Sequence, residues 1–295
     1  MVEVGNRTIQ GRYLLRPTPE LTDVILGVLG RAQRCYGMLI HAFVFLSNHY
    51  HMLVSPKNAK QLADFMCFVD TNIAKEAGKL ANWKGRFWAD RYSAIVVSNE
   101  EQAQVGRLQY VLSNGCKEGL VARPHDWTGA STASALLEGT LTLSGHWYDR
   151  TKEYRARQAG RTELFAVLET VTLSPLPCWA DLEKNEHHLC VRQIVQEIED
   201  ATEKKHRENG SSPMGMEQVL RRDPHCHPKN FEPSPAPLFH AASKRVRRFL
   251  GDAYSTFVAN YRYAAERLKA GDLQACFPAG SFPPPCPYVP ASGFG

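Results

Sequence analysis

Two imidazoles stand either side of one residue in His49-Tyr50-His51. The tripeptide follows the apolar run Ala42-Phe43-Val44-Phe45-Leu46-Ser47-Asn48 and precedes Met52-Leu53-Val54. That context reads as a buried strand. Alternate side chains of a strand share a face, so His49 and His51 point one way and Tyr50 the other. Paired imidazoles on a rigid strand are half of a metal site.

A second group lies about 60 residues later. The stretch opening at Ser98-Asn99-Glu100-Glu101 has the form of a capped helix, with Ser98 as cap and Glu101 completing a capping box. Asn114-Gly115 is expected to close it. On that helix Val105, Leu108, Val111 and Leu112 form an apolar stripe. Ala103, Arg107, Tyr110 and Asn114 fall together on the opposite side. Tyr110 and Asn114 are four apart and therefore neighbours. An Asn114 amide oxygen can complete a His-His-Asn metal site, which would set the Tyr110 hydroxyl beside the metal. A neutral phenol is a poor nucleophile. A divalent cation nearby, with a guanidinium such as that of Arg107, favours the phenolate and polarises a phosphodiester.

The elements needed to position these groups are legible in outline. Thr8–Leu15 is expected as a first strand, followed by a helix over 20–35 and then the histidine strand. A helix over 59–80 presents Leu62, Phe65, Met66, Val69 and Ile73 inward, and residues 83–97 are extended. Alternating strands and helices predict an α+β fold, with a ferredoxin-like antiparallel sheet carrying packed helices. The character changes after Trp127. Residues 130–145 are small and hydroxylic, and helices are expected near 161–171, 186–208, 214–222 and 238–270. A Pro-rich loop over 228–237 and a Pro-rich tail from Phe282 to Pro287 break the pattern. The expected organisation is a catalytic domain over 1–127 and a mainly helical region over 128–295.

These motifs resemble those of a known family. Ser47-Asn48-His49-Tyr50-His51-Met52-Leu53-Val54 is similar to the HUH motif of single-tyrosine transposases, where U is a bulky apolar residue. The segment from Leu108 to Val121 resembles the family's tyrosine helix and the loop after it. Gly85-Arg86-Phe87-Trp88-Ala89-Asp90-Arg91-Tyr92 resembles its aromatic-basic segment. The likeness is greatest to transposases associated with repetitive extragenic palindromes, and covers about residues 1–127. It implies cleavage and rejoining of single-stranded DNA through a 5′-phosphotyrosine, a divalent metal (Mg²⁺ or Mn²⁺), and recognition of a DNA hairpin. By position, His49, His51 and Asn114 would be metal ligands and Tyr110 the nucleophile. Two positions depart from the pattern: the middle residue is Tyr50, whose hydroxyl needs a partner if buried, and Gly115 stands where the family often has Pro.

Candidate phosphate contacts are Arg86, Arg91, Arg107 and Lys117. The run Lys244-Arg245-Val246-Arg247-Arg248 is either a solvated face or a further grip on DNA. His187-His188-x-Cys190, His225-Cys226-His227 and Cys178 match no familiar zinc spacing. The 295 residues carry a net charge of +5, compatible with nucleic acid but not diagnostic of it. No stretch approaches a membrane span, no secretion signal opens the chain, and the eight cysteines include no CxxC pair. A cytoplasmic protein with reduced thiols is expected, and monomer and homodimer stay open. Two other functions fit the same residues: a DNA-hairpin-binding protein without strand transfer, and a metal-dependent hydrolase that activates water.

Overall fold

The computed structural model describes residues 1–162, 165–228 and 237–285. Its first part runs β1 (Val2–Arg7), α1 (Pro19–Tyr36), β2 (Leu39–Phe45), β3 (His49–Ser55), α2 (Ala59–Leu80), β4 (Ser93–Val97) and α3 (Glu101–Lys117). β1 pairs antiparallel with both β3 and β4, and β3 pairs antiparallel with β2. The spatial order β2-β3-β1-β4, with helices between β1 and β2 and between β3 and β4, is the ferredoxin-like arrangement.

Local chemistry fixes the element ends. Thr18 caps α1 by accepting a hydrogen bond from the Leu21 amide, Pro19 opens the helix, and Gly37 closes it at φ 63°. Asn58 caps α2 through the Gln61 amide. α2 lies under the face to which Tyr50 points, and α3 covers the face of His49 and His51.

Several expectations are corrected. The first strand is Val2–Arg7, and Ile9–Gly11 is a single 3-10 turn. The stretch from Ala42 to Val54, expected as one strand, is divided between the two strands of a hairpin, β2 and β3. Its turn is hidden in sequence because Leu46 and Ser47 are themselves buried. Of residues 83–97 only Ser93–Val97 form a strand. Ser98 does not cap α3; its hydroxyl donates to Glu100, the residue at the cap position. The helix continues past Asn114-Gly115 to Lys117, and the left-handed residue is Gly119 at φ 67°. Gly115 is instead a packing residue: a Cβ there would lie 3.0 Å from Val121 Cγ2.

The later part folds onto the first. α4 (Ala133–Glu138) is followed by β5 (Thr142–Tyr148), α5 (Arg150–Gln158) and β6 (Ala166–Thr172), then by α6 (Lys184–Glu208), α7 (Met216–Arg221), β7 (Phe239–His240) and α8 (Lys244–Lys269). The helix expected near 161–171 is in fact β6, whose Val167, Thr170, Val171 and Thr172 suit a pleated surface. β5 and β6 form an antiparallel hairpin lying directly on α1. β7 extends the main sheet, parallel to β4, and α6 packs on α3. Most of the expected loop over 228–237, and the tail beyond Pro285, lie outside the described residues. Among the described residues, no helix is long and apolar enough to cross a membrane.

Candidate active site

Strand alternation places the histidines as expected. The His49 and His51 rings stand 5.4 Å apart, centroid to centroid, on the face covered by α3. Tyr50 is fully buried on the other face. It stacks on Phe45 at 4.7 Å, meets Trp88 edge-on, and donates from its hydroxyl to Asp70 Oδ1 at 2.6 Å. Asn6 donates to the other Asp70 oxygen. Burial raises the Asp70 pKa to about 6 against the pull of these two donors. The odd hydroxyl of the motif is therefore satisfied, and it points away from the histidines.

α3 brings its polar side to the same place. Asn114 is buried, with Oδ1 3.3 Å from His49 Nε2. The Tyr110 ring meets His51 edge-on at 5.1 Å. The Arg107 guanidinium lies 3.9 Å from the Tyr110 ring centroid and the Lys117 ammonium 4.7 Å from it. Tyr110 opens onto a cleft of about 420 Å³ between α3 and α6, lined by Arg107, Ser113, Lys117, Glu197 and Lys205.

The hydrogen-bond network assigns the His49 tautomer. Asn48 Nδ2 donates to the Gly11 carbonyl, so its Oδ1 is the atom facing His49 Nδ1 at 2.7 Å. Nδ1 therefore carries the proton. Burial first, then the charges of His51 and Arg7, lower the His49 pKa to about 3, so the ring is neutral near pH 7. His49 Nε2 then presents a lone pair to the carbonyl oxygen of Asn114. An imidazole lone pair and an amide oxygen side by side are both groups that can ligate a divalent cation. Asn114 Nδ2 is buried and also unpartnered. His51 gives its Nδ1 to Glu3 Oε1 at 2.9 Å, and no described residue takes up its Nε2. His49, His51 and Asn114 thus fit a divalent cation. Among the described residues no three His, Cys, Asp or Glu side chains form a metal cluster. A cation here would rely on the Asn114 amide and fill its remaining positions from water or substrate.

Three groups in the site carried no sequence signal used above. Glu3 on β1 contacts His51, Arg107 Nε at 2.7 Å and His240 Nε2 at 3.4 Å. Burial alone would raise its pKa, but hydrogen bonds from His240 and His51 and the charge of Arg107 hold it well below the carboxylate range. Arg7 pairs in register with His49. Burial lowers its pKa against the opposing pull of Glu118 and Tyr110, which places its charge within reach of both ends of the site. Period-two alternation along β1 puts Glu3, Gly5 and Arg7 on the histidine face. That signal becomes usable once the strand is known to begin at Val2.

Arg86 and Arg91 are not part of this cluster. They line a separate cleft of about 740 Å³ with Asp70, Lys75, Lys79 and Trp83. Arg247, from the basic run of α8, shares a third cleft with Arg107 and His240. His188 and His225 each bond a backbone carbonyl through Nε2, and the two His/Cys groups do not assemble a metal site among the described residues.

With this geometry in view, residues 16–113 match the family model of IS200-like transposases. The similarity to that family spans about a third of the chain. The match contains His49, His51 and Tyr110, stops one residue short of Asn114, and excludes Glu3, Arg7 and His240. Two solved structures are similar to the chain. One is a REP-associated tyrosine transposase bound to a REP hairpin, 17% identical, covering 44% of this chain and 74% of its own with a TM-score of 0.38. The other is a Deinococcus radiodurans R1 protein provisionally named a transposase, 18% identical, covering 37% and 86% with a TM-score of 0.27. No curated protein matches.

Proposed function

We propose that this chain is a transposase-type single-strand DNA endonuclease and strand transferase in which Tyr110 is the nucleophile. The observation that carries the reading is the convergence on one sheet face of Tyr110, two imidazoles and the buried Asn114 amide. When bound by His49, His51 and Asn114, Mg²⁺ or Mn²⁺ supplies Lewis-acid polarisation of the scissile phosphate. The chain's own groups do the rest. Arg7, Arg107 and Lys117 attract the phosphate and stabilise negative charge on it and on the phenol oxygen. Tyr110 Oη attacks phosphorus, the bond to the 3′ oxygen breaks, and the phenol's proton leaves to solvent while the departing 3′ oxygen gains one. The products are a 5′-phosphotyrosine and a free 3′ hydroxyl. Because the phosphodiester energy is kept in the phosphotyrosine, a second 3′ hydroxyl can reverse the step and rejoin the strand.

The test is a denaturing gel of the full chain with end-labelled, hairpin-bearing single-stranded DNA and Mn²⁺ or Mg²⁺. The expected outcome is a covalent adduct that Tyr110→Phe and His49→Ala each abolish. Cleavage that persists in Tyr110→Phe would replace this reading with water-activating hydrolysis. Binding with no cleavage in the wild type would leave a hairpin-binding protein.

A further inference from the structure

Glu3 lies outside the matched segment, and the chemistry above gives it no role. Its side chain is 3% exposed, and groups from three other elements meet it: His51 of β3, Arg107 of α3 and His240 of β7. A buried carboxylate is an expensive way to pack a sheet, and an apolar residue of similar volume would serve the fold at lower cost. Its own strand leaves the space open. Gly5 faces His51 in the register, and a Cβ there would lie 2.8 Å from the Tyr50 carbonyl and 3.4 Å from His51 Nδ1. With no side chain at Gly5, Glu3 reaches His51 diagonally across the strand pair.

We propose that Glu3 is the positioning residue of the site. It holds His51 as the Nδ1–H tautomer with Nε2 turned to the cation position, and it anchors Arg107 against the Tyr110 ring. The first role rests on the reading of His49, His51 and Asn114 as metal ligands; the second does not. His49 has its own orienting acceptor in Asn48, so each imidazole has a different fixed partner on Nδ1. Partners of this kind typically change metal affinity by about 10–100-fold. Arg107 and His240 offset the buried charge at the other carboxylate oxygen.

The test uses the full chain and two variants. Glu3→Leu removes both acceptor oxygens; Glu3→Gln keeps one acceptor and removes the charge. Imidazole ¹⁵N spectra of the metal-free protein read the His51 tautomer, and calorimetric titration with Mn²⁺ reads affinity. The expected result for Glu3→Leu is loss of the Nδ1–H signature and Mn²⁺ affinity weakened by about 10–100-fold. In Glu3→Gln the tautomer persists, its Nδ1–H proton moves upfield, and affinity falls by a smaller factor. Far-ultraviolet circular dichroism reports whether the fold is intact in each variant. An Nδ1–H His51 in Glu3→Leu, or wild-type Mn²⁺ affinity in either variant, overturns the proposal. Should Glu3→Leu fail to fold, an unshifted His51 proton in Glu3→Gln overturns it alone. A wild-type chain that binds no Mn²⁺ would sink the metal reading of the function, while the tautomer spectra would still decide the role of Glu3.

Discussion

At the scale of single residues, each histidine of the site has its own fixed acceptor at Nδ1, Asn48 for His49 and Glu3 for His51. The back of the histidine strand follows the same logic, with a measurable consequence. Asp70 sits under Tyr50, accepts from Tyr50 and Asn6, and has its pKa raised to about 6 by burial. In the unfolded chain a carboxyl titrates near 3.9. Between these values the folded chain binds the proton more tightly than the unfolded chain, so the Asp70 contribution to stability rises as pH falls from about 6 to about 4. The slope cannot exceed about 1.4 kcal/mol per pH unit, and partial solvent access lowers it. The burial of neutral His49 has the opposite sign: its pKa is about 3 when folded, so stability falls as pH drops below about 6.5. The two effects oppose each other in the wild type. Asp70→Asn removes only the first. Urea unfolding of the metal-free chain at pH 7 and at pH 4.5 should therefore show Asp70→Asn losing more stability on acidification than the wild type. An equal or smaller loss would remove Asp70 as a titrating group.

At the scale of elements, close backbone approach explains how a later hairpin joins the first helix. A Cβ at Gly27 would lie 2.2 Å from the His146 carbonyl, one at Gly30 2.8 Å from the Thr170 amide, and one at Gly145 2.1 Å from the Asp23 carbonyl. Around this contact Arg31 and Arg34 pair with buried Glu169, and Gln33 bonds both backbone groups of Thr172. Gly27→Val must push the hairpin off α1. The expected cost is at least the roughly 1–3 kcal/mol of an overpacked core, read as a lower urea midpoint, with new proteolytic cuts within 142–172. Unchanged cutting would mean that the hairpin does not depend on this contact. What the sequence reveals at this scale follows its periods. The 3.6-residue stripe located α2 at its observed bounds and put Tyr110 and Asn114 on one side of α3. Period two aligned His49 with His51. Contacts with no local period were invisible. Glu3 has its nearest site partner 48 residues away, and Gly27 reads as an ordinary weak point in a helix until the hairpin is seen on it. The turn between β2 and β3 was lost for another reason: Leu46 and Ser47 are as buried as the strands they join, so the turn does not surface as a polar loop.

At the scale of the whole molecule, the boundary near residue 127 marks a change of sequence character, but the later segment supplies parts of the earlier one. β7 occupies the free edge of β4, α6 covers α3, and the β5–β6 hairpin covers the glycine face of α1. Val171, Leu173, Val191, Ile194, Val195 and Ile198 are buried in the same core cluster as the sheet. Trp127, at the boundary itself, donates its indole N–H to the Phe45 carbonyl at the end of β2. Cutting the chain after Trp127 would expose the outer side of α3 and leave β4 as an open edge, the arrangement that invites strand-to-strand association. It would also remove His240 from Glu3 and leave that buried carboxylate with one fewer donor. The fragment 1–127 is therefore expected to bind a hydrophobic dye and to associate in sedimentation, and to lose the single cooperative unfolding transition expected of the full chain. The Tyr110 adduct should weaken with it, because the tyrosine cleft loses its α6 wall. A fragment that sediments as a monomer, unfolds cooperatively and forms the adduct at the full-length rate would show that the later segment is an appendage to a self-sufficient domain.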